Sequence, residues 1–426
     1  VLIFVMKFTN FLPISVTLCV PLLADWPRFM GANDDNTVLM GKVMTSFPEA
    51  GPKVVWEVDV NAGFGGAAIV GDEVFHIDRV DQSFDVLSCL DLETGKEKWS
   101  WNHDVPGRIS HPGSRGVPTV TDDAVYVTSG FGWVYCIDRK TKKERWVVNM
   151  GERFKAEPPR FGWAGHPVVQ DGLCYVAPLG DALGLAALDV KTGKTMWTSE
   201  AVGSSHSSPQ LMTILGREVL VMPGDFGRKE LVILGVEPKT GKTVFKHVED
   251  FGSGIFNAIP NLLMLDQGTA IFTAGYKKGT RILKFEMEGE MMKVSKAGQM
   301  PFGAKFHAPL VIEGKLYLTA DKGRGSAVSG LVSLAPDGAV KWSTGKEPQL
   351  NGGSILNIGG VIVSQDGDTG ELRLVKPGGK YEELARAKVF SKEPGRELWA
   401  PMAFSKGKLV MRSQNQLICV ELASAK

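Results

Sequence analysis

A nine-residue turn that recurs at a nearly fixed spacing constrains this chain more than any other feature. Its clearest copy is Asp189-Val190-Lys191-Thr192-Gly193-Lys194-Thr195-Met196-Trp197, and Asp91 to Trp99 repeats it with Asp, Thr, Gly, Lys and Trp in register. Asp138 to Trp146 is a third copy with Lys142 in place of glycine, and Glu237 to Phe245 a fourth ending on phenylalanine. A weaker copy runs from Ala335-Pro336-Asp337-Gly338 to Trp342. The residue types account for the turn. The acid can bond back to the turn backbone, glycine takes a positive φ, and the next strand carries one large anchor. Repetition at one period decides the architecture before any single residue does.

Taking the anchors as Trp56, Trp99, Trp146, Trp197, Phe245, Val294, Trp342 and Leu384 gives successive spacings of 43, 47, 51, 48, 49, 48 and 42 residues. Four short strands and their turns fill such a period, which is that of a propeller blade. Stretches with a 3.6-residue period are missing, and short alternating runs such as Val125–Thr128 and Lys315–Thr319 stand in their place. The last unit stops at Leu417–Leu422 without a fourth strand, whereas Lys53–Val58 is an anchor strand with no blade before it. Pairing the two removes two exposed sheet edges. The sequence therefore predicts an all-β, eight-bladed propeller over residues 51–426, closed by strand 53–58 against strand 417–422. Residues 25–50 fall outside the repeat and are expected as an N-terminal cap across one face. Length alone would suggest two or three domains for 426 residues, but a closed ring makes them one unit. Phe245, Val294 and Leu384 in place of tryptophan predict weaker docking on that side of the ring.

Residues 1–24 read as a signal peptide. Met6-Lys7 gives a basic start, Phe11–Leu23 an apolar run, and Ala24 precedes the polar Asp25. The run is too short to span a bilayer comfortably, so the mature chain is expected without a transmembrane segment, in the periplasm or outside the cell. Leu18 before Cys19 argues against a lipid anchor. Lys plus Arg (48) balance Asp plus Glu (47), which leaves no electrostatic case for a nucleic-acid partner. Cys89, Cys136 and Cys419 share one repeat position and so lie in different blades, too far apart to pair. With Cys174 they are expected as free, buried, small hydrophobes.

Ligands of a propeller meet the loops that lead into the innermost strands, where the channel opens. Those loops offer Arg115, Trp163, His166, His206, Asn257, Lys305, His307 and Trp399 as candidate binding residues. His166, His206 and His307 could converge on a metal, but they stand one, three and two positions before the next proline, so no metal site is assigned. Phe131, Trp133, Phe161, Trp163, Phe306 and Trp399 offer either a stacking platform or packing between blades. Asp366–Glu371 lacks the ligand spacing of a calcium loop and reads as a hairpin turn. No phosphate loop, nucleophile elbow or triad is present, and catalytic residues are left unassigned.

At its Asp-x-x-Thr-Gly-Lys-x-x-Trp turns the chain resembles the pyrroloquinoline-quinone (PQQ)-type repeat propellers, over essentially the whole mature length. The resemblance implies eight blades with a tryptophan-docking motif. That scaffold serves both quinoprotein dehydrogenases and a non-enzymatic outer-membrane assembly factor. The dehydrogenases carry two adjacent cysteines and a Glu, Asn and Asp set around calcium, and neither is matched here. The expectation is therefore a binding or scaffold protein for an unidentified protein, small-molecule or glycan ligand, without a cofactor. The alternatives are a PQQ- and calcium-dependent alcohol or sugar dehydrogenase and a carbohydrate-binding propeller.

Overall fold

The computed structural model describes residues 25–423 apart from 40–41, 228, 253–256, 322–327 and 336. The expected signal peptide and Cys19 lie outside the described residues. Eight sheets follow one another round a ring. Blade 1 is Ala67–Val70, Glu73–Val80, Phe84–Asp91 and Glu97–Asp104, each strand antiparallel to the last. Blades 2 to 7 repeat this over residues 119–149, 168–198, 210–250, 263–300, 310–343 and 355–387. The first strand of each blade is innermost, and the first strands of blades 8 and 1, 1 and 2, and 6 and 7 touch. Among the described residues one five-residue helix, Met150–Phe154, interrupts the strands.

Burial follows from position in the ring. Middle strands are covered on both faces by neighbouring blades and are almost continuously buried, as in Glu73–Val80. The outer strand Glu97–Asp104 alternates between half-buried and exposed residues because only one of its faces meets a neighbour. Blade 8 is completed as the sequence requires. Ala403–Ser405, Lys408–Arg412 and Gln416–Glu421 are joined by Val54–Asp59, with Val54 opposite Val420 and Trp56 opposite Cys419.

The repeated turn docks one blade on the next. Asp91 Oδ1 accepts from the Glu93 and Thr94 amides and the Thr94 hydroxyl, and Asp189 does the same for Lys191 and Thr192. The indole of the preceding blade lies on the turn's glycine. The Trp56, Trp197 and Trp342 indoles donate to the carbonyls of Leu92 (2.8 Å), Pro238 (3.0 Å) and Gly378 (3.0 Å) in the next blade. Trp146 bonds Val190 in the same way. A Cβ on Gly95, Gly193 or Gly241 would stand 2.7, 2.8 or 2.5 Å from the rings of Trp56, Trp146 or Trp197. Glycine is thus required by its positive φ and by the ring pressed against it. At the turn that has Lys142 instead, the lysine adopts φ 61°, its ammonium lies 5.0 Å from the Trp99 ring centroid, and the Trp99 N–H has no partner among the described residues. The anchor Phe245 instead meets Phe285 of blade 5 edge-on at 5.2 Å.

Within the segment 25–50 expected as a cap, residues 26–38 bond the first strands of four blades. Trp26 pairs with Ile69 of blade 1, and the Val120 amide of blade 2 donates to the Pro27 carbonyl. Gln210 of blade 4 donates to the Asp34 carbonyl, and Thr37–Val38 forms a fifth, parallel strand on Ile355–Ile358 of blade 7. Inner strands present unpaired backbone groups to the channel, and this segment supplies partners for several of them. Trp26 and Met30 are buried by it. The four cysteines described are free and buried, and burial pushes the Cys89, Cys136 and Cys419 thiols up to about 12. Asp366–Glu371 is the turn between Val361–Gln365 and Leu372–Val375.

Candidate functional site

The antiparallel order of each blade puts the loops into the inner strands on the face opposite the Asp-x-x-Thr-Gly turns. There the channel opens into a cavity of about 360 Å³, a size suited to a small ligand. Six half-buried aromatic rings line it: Phe29, Phe64, Phe161, Tyr276, Phe306 and Trp399. Phe306 stacks on Trp399 with centroids 4.1 Å apart, and Phe64 stacks on Trp399 at 5.7 Å. The floor is built by the N-terminal segment, whose Phe29 ring lies 4.3 Å from the His166 ring.

Arg115, His166, His206, His307 and Trp399 of the sequence-predicted set line this cavity. Lys305 lies next to it, in a polar cleft of about 370 Å³ that shares Glu397 and Trp399 with the cavity, and it pairs with Asp321 at 3.2 Å. Trp163 is not in the cavity wall. Its indole donates to the Pro178 carbonyl, and Gly132 lies against its ring, so it packs between blades. Asn257 is buried outside the lining. The cavity adds residues that the loop reading did not single out: Phe29, Phe64, Asn261, Tyr276 and Glu397. Phe29 carries no signal in the repeat, because it comes from the segment that precedes it.

His166 and His206 each accept a different backbone amide in the wall, and His307 Nε2 has no hydrogen-bond partner among the described residues. His166 Nδ1 accepts the Val117 amide at 2.9 Å, which leaves its proton on Nε2. His206 Nε2 accepts the Phe161 amide at 3.3 Å, so Nδ1 carries the proton, and that buried N–H has no partner among the described residues. Burial lowers their pKa values to about 3 for His166 and about 4 for His206 and His307, with Arg115 adding to the effect at His206. All three are neutral near pH 7. Among the described residues, no group of three or more His, Cys, Asp or Glu converges as metal ligands would.

Arg115 is the charge in the wall. It is 7% exposed, and its guanidinium donates to the carbonyls of Gly113 (2.7 Å), Ser110 (2.7 Å) and His111 (2.6 Å). These bonds use three of five N–H donors. Among the described residues no carboxylate pairs with it, and the nearby Glu397 faces His111 at 3.9 Å. Burial lowers its pKa to about 10, with a contribution from Arg79, so it remains cationic at neutral pH. His111, Tyr276, Asn351 and Glu397 around the mouth all have positive φ. Such backbone costs about 1–3 kcal/mol per residue and gathers where a site is held in shape.

A family model described as "Outer membrane protein assembly factor BamB" matches residues 82–297, about half of the chain. This chain belongs to that family. Among curated relatives, it is 27% identical over 170 residues to the dehydrogenase subunit of the quinone alcohol dehydrogenase of Gluconacetobacter polyoxogenes, a match covering 37% of this chain and 22% of that protein. It is also 22% identical over 131 residues to tetrathionate hydrolase of Acidithiobacillus ferrooxidans, covering 29% of this chain and 25% of the hydrolase. The matches thus span about a fifth to a quarter of the length of these relatives. BamB from Moraxella catarrhalis superposes with a TM-score of 0.58 at 14% identity, over 87% of this chain and all of that one. The quinohemoprotein alcohol dehydrogenase of Comamonas testosteroni superposes at 0.68 and 14% identity, over 94% and 81%. At these identities the likeness speaks for the propeller fold. No helix among the described residues is long and apolar enough to cross a membrane.

Proposed function

We propose that this protein is a binding or scaffold propeller of the cell envelope or exterior that holds its ligand at the channel mouth. The observation that carries this reading is the pre-formed aromatic cavity, walled by neutral histidines and Arg115 and closed below by the chain's own N-terminal segment. Six aromatic rings facing one opening leave apolar area that a ligand or partner segment would cover.

Quinone chemistry, suggested by the alcohol dehydrogenase relatives, finds a poor set of donors here. Calcium takes six to eight oxygens, largely from carboxylates and carbonyls. Asn261 is engaged in both directions with the Ser208 backbone, and Glu397 is turned to His111. The described cysteines are dispersed and buried. These residues do not fit the quinone–calcium pair.

A photo-crosslinking residue at position 399, compared with one at the exposed Met196 on an outer strand, tests the reading in the source organism. A defined adduct formed at 399 and absent at 196 supports it; no adduct at 399, or the same adducts at both, refutes it. Stoichiometric PQQ uptake with calcium and dye-linked alcohol oxidation would replace it with a dehydrogenase.

A further inference from the structure

We infer that the channel mouth recognises a carboxylated sugar, with an acidic ring in the aromatic cavity and its neighbour in the adjoining polar cleft. This rests on the binding reading above and names the chemistry of its ligand. Three independent features meet at Trp399.

The first is the uncompensated cation. A buried guanidinium is normally matched by a carboxylate. Arg115 hydrogen-bonds only to carbonyls, its guanidinium lies 5.9 Å from the Phe64 ring centroid, and two of its N–H donors have no acceptor among the described residues. His206 Nδ1–H in the same wall is a further donor without a partner among the described residues. Two donor groups of this kind, one of them charged, suit a carboxylate oxygen pair.

The second is the ring surface. Phe64, Phe306 and Trp399 form a stacked bank along one side of the cavity. The C–H faces of a pyranose carry slight positive charge and lie flat on the negative faces of aromatic rings. A simple apolar ligand would satisfy this bank as well, but it would leave Arg115 unmatched.

The third is the cleft that continues from the cavity past Trp399 and Glu397. It is lined by Gln349, Asn351, Asp368 and Arg396, a mixture of acceptors and donors, and by the Lys305–Asp321 pair. The Asn351 amide donates to Asp368 at 2.6 Å, which fixes one carboxylate in place. Neighbouring hydroxyls act as donor and acceptor at once, and a cleft holding both kinds of group at nearly balanced charge matches them better than it would a second anion. Glu397, on the border between the two spaces, and Asn351, in the cleft wall, both have positive φ.

Titration calorimetry of the purified protein with a trisaccharide of one terminal galacturonate on two neutral galactoses, the all-neutral galactose trisaccharide and free galacturonate tests this. The acidic trisaccharide is expected to bind at least about tenfold more tightly than the neutral one, as one charged hydrogen-bonded contact implies. R115Q should abolish that preference and R115K keep part of it, with unfolding midpoints confirming that both variants fold. Q349A and R396A, in the cleft, should weaken the trisaccharide and leave free galacturonate unchanged. Equal affinity for acidic and neutral trisaccharides, or no saccharide binding at all, overturns the inference. If saccharides fail while position 399 still crosslinks a partner, only the sugar assignment falls; if both fail, the binding reading falls with it.

Discussion

Trp99 and Trp197 occupy the same repeat position and are both half-buried, yet they dock differently. Trp197 lies on Gly241 and donates to the Pro238 carbonyl at 3.0 Å. Trp99 lies by Lys142, and its indole N–H has no partner among the described residues. Tryptophan-to-phenylalanine substitution separates ring area from hydrogen bond. Both variants lose a strip of buried ring worth about 1 kcal/mol. W197F additionally loses the bond and leaves Pro238 O without its donor, a further cost of about 1–2 kcal/mol. The cation–π contact of Lys142 survives in W99F, because phenylalanine still offers a ring face. Urea unfolding should therefore show W197F destabilised by about 2–3 kcal/mol and W99F by about 1 kcal/mol at unchanged m. Equal losses, or a larger loss at Trp99, would refute the claim that the indole bond to the next blade's turn carries the difference.

Gly193→Ala puts a Cβ at φ +67° and 2.8 Å from the Trp146 ring, and should cost about 2–4 kcal/mol from backbone strain plus displacement of the ring. Gly172→Ala, with φ +80° and open space around it, should cost only the backbone share of about 1–2 kcal/mol, read by the same unfolding assay. His76, His166, His206 and His307 have folded pKa values of about 4, 3, 4 and 4 against 6.5 in the unfolded chain. The unfolded chain then binds more protons between those values, so stability is full above about pH 6.5 and falls as pH drops toward 4. His166→Gln should flatten that slope in urea midpoints measured across the window. Phe29→Ala opens the cavity floor beside His166. It should lower stability by about 2 kcal/mol and move the His166 pKa up toward its ordinary value, as followed by NMR titration.

The repeat turn was sufficient to place the blades, because a strand–turn–strand unit with one aromatic anchor leaves a local record in side-chain type. The same holds for ring closure, where an orphan anchor strand at Lys53–Val58 and a three-stranded last blade could satisfy only each other. Five of the eight proposed binding residues line the cavity, since loops into inner strands must open on the channel. Trp163 misled because a half-apolar loop tryptophan reads alike whether it faces a channel or, as here, wedges onto Gly132.

What the sequence by itself determined is the period, and with it the number of blades, their internal order and the latch between the two ends. Only the tertiary structure decided that each turn's glycine makes room for the tryptophan of the blade before it, since that contact spans about 40 residues of chain, as between Trp56 and Leu92 or Trp197 and Pro238. It also decided that residues 25–38 enter the channel and place Phe29 beneath the site. The physical reason is the same in both cases. Local pattern records what a residue needs from its own strand and turn, whereas an unpaired inner edge or an indole face is satisfied by whatever closure of the ring brings to it.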